Sequence, residues 1–123
     1  MKYMILINHN QEAREAWAGM SEAERAIGYG AHAALHDDLA ESGEMVVAEA
    51  LADPSQARRV LVGEGRTTIG NGPFAEVKEY LAGFYLVECE SVDRAVEHAA
   101  RIPEAAFGLV EVRPVLVDTG PDM

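Results

Sequence analysis

Gly83-Phe84-Tyr85-Leu86-Val87-Glu88-Cys89 is the stretch on which the fold turns. Its residue types suit a strand, where successive side chains point to opposite faces. Phe84 and Leu86 share one face and Tyr85 and Val87 the other, so both faces are apolar. Helices of the same chain can cover one of them. A chain of 123 residues has no third layer for the other, and pairing with the sheet of a second copy would cover it. The expectation is a homodimer joined through its sheet faces.

Downstream of this strand, Ser91 can cap a helix over 92–101 that carries Val92, Ala95, Val96 and Ala99 on one face. Pro103 stops it, a last strand is expected over 109–117, and the polar tail 118–123 is expected to fray. Upstream, Tyr3 to Ile7 reads as the first strand, and Gln11 to Met20 is compatible with helix but has no clear stop. Ser21 followed by Glu24 forms a capping box, in which hydroxyl and carboxylate each satisfy a free N–H at a helix start. Ile27, Ala31, Leu35 and Leu39 then recur every four residues, and Gly43 is placed to end the helix. Gly28 and Gly30 weaken its middle, which points to close packing or an irregular first turn.

Met45 to Ala50 reads as a further strand, followed by a turn at Asp53-Pro54. Arg59 to Val62 and Arg66 to Ile69 read as a hairpin joined by Gly63-Glu64-Gly65. The turn cluster Gly70-Asn71-Gly72-Pro73 leads into an expected short helix over 74–80. The order of elements fits a split βαβ, ferredoxin-like α+β domain spanning 1–117: one antiparallel sheet with two helices on one face.

The formal net charge of −11, from 21 acidic and 10 basic residues, argues against binding nucleic acid or anionic lipid. No apolar run approaches the ~20 residues of a membrane helix. The short apolar opening is read as a strand of a cytoplasmic protein rather than a signal peptide. Cys89 is the one cysteine, so no intrachain disulfide or thiolate cluster is available, and it reads as a small buried hydrophobe.

Several motifs in order carry a resemblance. Asn71-Gly72-Pro73-Phe74-Ala75-Glu76-Val77-Lys78-Glu79 is similar to the signature of the DGPF group of YCII-related proteins. Ala82-Gly83-Phe84-Tyr85-Leu86, the closing Val110-Glu111-Val112-Arg113-Pro114, the opening Met1-Lys2-Tyr3-Met4 and the pair Ala31-His32 also fit. The resemblance implies a ferredoxin-like, dimeric α+β barrel type of fold. It also implies a cleft shared by a histidine and an aspartate. By position the histidine is His32, but the aspartate falls at Asn71. An amide can hydrogen-bond and cannot ionise, so the dyad is incomplete. Either His32 acts as base while Asn71 orients a substrate, or another carboxylate such as Asp37 or Glu76 substitutes.

His32 and His36 lie four residues apart on one side of the expected helix. The spacing would align two metal ligands, but a zinc site needs a third and no HExxH-type pattern occurs. No metal site is expected. Gly72, Pro73 and Phe74 are candidate ligand-binding positions, since exposed amides beside a helix start favour anions, although Asn-Gly and Gly-Pro are also ordinary turn formers. Arg113, alternating with apolar residues, is a candidate anion contact or a salt bridge at the dimer edge. Gly63-Glu64-Gly65 does not fit a phosphate loop. His9 and His98 receive no role, and Trp17 reads as packing.

The functional expectation is a small-molecule cleft in each subunit, with lyase- or hydrolase-like acid/base chemistry centred on His32 and no cofactor. The alternative is a non-catalytic dimeric binding or regulatory module. A monooxygenase reading would rest on fold analogy alone.

Overall fold

Two capping arrangements set the long helix that organises the chain. Ser21 Oγ accepts from the Glu24 amide at 3.1 Å, and the Glu24 carboxylate accepts from the Ser21 amide at 3.0 Å. At the other end Gly43 takes φ 78°, a left-handed conformation in which glycine avoids a Cβ clash, and its amide reaches back to close the helix. The computed structural model describes residues 1–71 and 78–117.

The elements are β1 (Lys2–Asn10), α1 (Gln11–Ala18), α2 (Glu22–Ser42), β2 (Met45–Ala50), β3 (Arg58–Gly63), β4 (Arg66–Asn71), β5 (Glu79–Glu88), α3 (Val92–Ala99) and β6 (Val110–Pro114). A single-turn 3-10 segment at Pro103–Phe107 links α3 to β6. The main sheet has the order β2-β5-β1-β6 with every neighbouring pair antiparallel. The ferredoxin-like α+β reading is therefore correct. β3 and β4 form a separate two-stranded sheet, inserted between β2 and β5.

The period of two in β1 and β5 divides the sheet as the sequence demands. Tyr3, Ile5 and Ile7 from β1 and Tyr85 and Val87 from β5 are buried with Leu35 and Leu39 of α2 and Ala95 and Ala99 of α3. The opposite face carries Met4, Leu6, Phe84 and Leu86, all half-buried, joined by Val47 opposite Leu86.

Three local expectations shift. Glu79 and Tyr80 open β5 instead of ending a helix, because Tyr80 pairs with His9 across the sheet and their rings meet edge to face at 6.2 Å. Pairing along a whole strand outweighs a short local helix preference; the remainder of that expected helix, 74–77, lies outside the described residues. The stripe on α2 divides: Leu35 and Leu39 are fully buried, but Ile27, two turns earlier, is 74% exposed. Gly28 marks a close approach there, since a Cβ would meet the Trp17 ring at 3.0 Å. The last strand is shorter than expected and ends at Pro114. The tail 118–123 lies outside the described residues.

Candidate functional site

Three elements bring one acid and two histidines together. The end of β1 delivers His9, one residue before Asn10, whose side chain caps α1 by accepting from the Ala13 amide at 2.8 Å. The middle of α2 delivers His32. The 3-10 segment delivers Glu104 directly after Pro103, whose fixed φ suits the first position of a helical turn.

The Glu104 carboxylate bridges the two rings. One oxygen lies 3.0 Å from His32 Nε2 and the other 3.0 Å from His9 Nε2. Burial disfavours the ionised acid, but hydrogen bonds from His32 and His9 more than offset this and hold the carboxyl well below the usual range. An ionised carboxylate only accepts, so both Nε2 atoms carry the proton. In a neutral ring the Nδ1 atom is then the acceptor. That of His32 faces the Tyr85 hydroxyl at 3.4 Å. That of His9 has no hydrogen-bond partner among the described residues, on a side chain that is 35% exposed. Burial, and then the negative charge of Glu104, push the Tyr85 hydroxyl up and keep it neutral.

This cluster forms part of the wall of two cavities. The larger, about 730 Å³, is lined by His9, His32 and Glu104 on one side and chiefly by apolar groups elsewhere, among them Trp17, Ile27 and Phe107. Trp17 and Tyr29 meet edge to face at 5.1 Å along its side. Arg14 also lines it, paired with Asp53 at 2.8 Å and stacked over the Tyr80 ring at 5.7 Å. The smaller, about 350 Å³, adds His36, Glu49 and Tyr85. With side-chain exposures of 35% for His9, 33% for His32 and 18% for Glu104, the histidines are reachable while the acid is largely shielded. Such a mostly apolar cleft with a few convergent polar groups suits a small molecule.

The residues named from sequence are not all brought together. His32 is in the cluster. Asn71 ends β4 opposite Arg58 and lines neither cavity. Gly72, Pro73 and Phe74 lie outside the described residues, as does Glu76. Arg113 is exposed on the outer sheet face, opposite Met4, and donates to Glu111 at 3.0 Å. Asp37 is exposed on α2 and lines neither cavity. Cys89 is buried and its thiol pushed up by that burial, the opposite of an activated nucleophile. No group of three or more histidine, cysteine or acidic side chains among the described residues is arranged to hold a metal ion, and no helix of these residues is long and apolar enough to cross a membrane.

Glu104 and His9 were missed by sequence reasoning. Glu104 is one of 21 acids, and its only local signal is isolation: it stands between Ile102-Pro103 and Ala105-Ala106-Phe107, an acid in an otherwise apolar segment. His9 has a comparable signal, a ring at the last turn-in of an apolar strand.

Comparison with known proteins matches nearly the whole chain. The model of the YCII-related domain matches residues 1–117. An uncharacterized protein of Rhizobium meliloti (strain 1021) is 32% identical over 117 residues, covering 94% of this chain and 92% of that one.

Proposed function

The chain belongs to the YCII-related family, and we propose that it binds a small, largely apolar molecule in the 730 Å³ cavity and moves a proton on it. The observation that carries this reading is one shielded carboxylate holding two reachable imidazoles. Glu104 supplies the negative charge that position 71 lacks. It fixes both rings and leaves Nδ1 of His9 to accept a proton from the bound molecule. The proton taken up by His9 is the one it returns to a leaving or rearranging atom, while His32, with Nε2 on Glu104 and Nδ1 accepting from Tyr85, positions the carboxylate. An imidazole that takes a proton and gives it back suits elimination or hydrolysis, which need a base and then an acid in one turnover.

The site belongs to a homodimer in this reading. Met4, Leu6, Val47, Phe84 and Leu86 form a contiguous half-buried apolar area on the outer sheet face, and a second copy of that face would cover it.

Trp17 is the one tryptophan and lines the cavity, so its emission reports occupancy directly. A panel of small aromatic and aliphatic esters, lactones and β-hydroxy carbonyl compounds, followed by Trp17 fluorescence and by product analysis, tests the reading. The expected result is saturable quenching by some members, with turnover of at least one that His32→Gln and His9→Gln each reduce by a hundredfold or more. Quenching without turnover across the panel would favour the alternative, a binding module whose histidines only hold the ligand.

A further inference from the structure

The β3–β4 hairpin has no role in the site just described, and its composition differs from that of the body. Every residue of β3 is exposed. Cross-strand register places Val60 opposite Ile69 and Val62 opposite Thr67 on one face, with Leu61 opposite Thr68 on the other. Val60, Val62 and Ile69 remain 65%, 68% and 64% exposed, and Leu61 69%. A two-stranded ribbon is at best marginally stable alone in water, and four large apolar side chains left on it deepen that deficit. The two-residue turn Glu64-Gly65, with φ of 52° and 73°, fixes its register, so the ribbon is a defined element whose apolar side chains stay exposed.

Its charge says what it fits. Of the 10 basic residues of the chain, Arg58, Arg59 and Arg66 lie in this hairpin; of the 21 acidic residues, only Glu64 does. The hairpin therefore carries +2 and the remainder of the chain −13. A basic, apolar ribbon is complementary to an acidic body, and a second copy of this chain presents such a body. Length agrees. Six residues of strand span about 20 Å, while stacked sheets lie about 10 Å apart, so a ribbon leaving the β2–β5 side of one sheet is long enough to cross to the next.

We propose that the β3–β4 hairpin is an arm that clasps a second copy of the chain. The proposal rests on the homodimer reading above and adds a second contact to it: sheet faces form the centre of the dimer, and the arm of each subunit lies on the acidic body of the other. Val60, Val62 and Ile69 supply the apolar contact, and Arg58 and Arg66 supply the charge.

Sedimentation equilibrium of the full chain tests it, with two variants beside the wild type. In the first, Val60→Ser with Ile69→Ser removes the apolar stripe of the arm; in the second, Leu86→Glu with Leu6→Glu disrupts the sheet face. The wild type is expected at twice the 13.3 kDa of one chain. The arm variant, with an unchanged circular dichroism spectrum, is expected to dissociate about 30-fold more readily or worse. An arm variant within about twofold of the wild type, beside a sheet variant that is monomeric, overturns the arm and leaves the sheet dimer standing. A monomeric wild type overturns both. Hydrogen exchange of the wild type gives a reading independent of any variant: amides of 58–71 should be protected in the dimer and lose protection on dilution. Fast exchange at every concentration overturns the arm.

Discussion

The carboxylate of Glu104 stands 3.0 Å from Nε2 of His32 although 72 positions separate the two residues. The 3-10 turn after α3 and the middle of α2 meet only because both pack on the same face of the sheet. The contact is therefore a product of the tertiary fold.

Replacing Glu104 by Gln should change how stability depends on pH. In the folded chain the Glu104 carboxyl lies well below its ordinary value near 4.5, to which it returns on unfolding. As pH falls, the unfolded chain takes up that proton first. The stabilisation is thus complete above the ordinary carboxylate range and drains away as pH drops toward the folded value. At neutral pH the substitution should cost about 2 kcal/mol, since it removes the charge from two hydrogen bonds. Below about pH 4 the wild type and the variant should converge. Urea midpoints across this range decide the matter, and a constant gap down to pH 2 would show that Glu104 is not the group responsible.

Gly28→Ala should report on the cavity more than on stability. Alanine favours helix by about 1 kcal/mol over glycine, but the new Cβ would stand 3.0 Å from the Trp17 ring. The ring is half-buried and can yield by a few tenths of an ångström. Nearly unchanged stability is expected, together with shifted Trp17 emission and weaker binding of any ligand that quenches it. Unchanged emission and binding would mean that the ring does not depend on the Gly28 contact.

How much was legible follows from where each feature is encoded. The capping box at Ser21, the left-handed Gly43, the β2 limits and the β3–β4 hairpin are local, and their signals lie within a few residues. The two-sided apolar pattern of Phe84 to Val87 predicted the division between core and open face. His32 stood out through a resemblance. Its partner Glu104 could not be found that way, because any of many acids satisfies the same local chemistry and only the fold selects one. Tyr80 shows the same limit: its strand is decided by His9 in β1, 71 residues away in order and adjacent in space.

A second polar network should carry much of the link between α3 and β2. Glu44 accepts from Arg94 at 3.2 and 3.0 Å and from His98 at 3.1 Å, and His98 is only 4% exposed. The Arg94 guanidinium, against the cost of burial and with help from His98 and Ser42, holds the Glu44 carboxyl down to about 2. By the same linkage its stabilisation is present above about 4.5 and lost between there and about 2. His98→Ala should cost about 3 kcal/mol, since it opens a void and removes one buried donor from a carboxylate. Arg94→Ala should cost clearly less, because that side chain is 38% exposed and water can replace it. Thermal denaturation at pH 7 ranks the two, and the reverse order would place the weight of the network on the surface pair.

Gly30 and Gly83 make a pair of opposite sign. A Cβ at Gly30, on the exposed side of α2, would meet nothing within 4 Å. Alanine there should stabilise the chain by about 1 kcal/mol through helix propensity alone. A Cβ at Gly83 would stand 3.0 Å from the Glu49 carbonyl oxygen in the neighbouring strand. Backbone in a paired sheet cannot swing aside as a side chain can, so β2 and β5 would have to separate where they also border the smaller cavity. Gly83→Ala should therefore destabilise by roughly 1–3 kcal/mol. It should also loosen β2, seen as faster hydrogen exchange at the amides of 48–50. If Gly83→Ala instead matches Gly30→Ala in raising the melting temperature, the close approach of the two strands is relieved at little cost and does not fix the register at that edge.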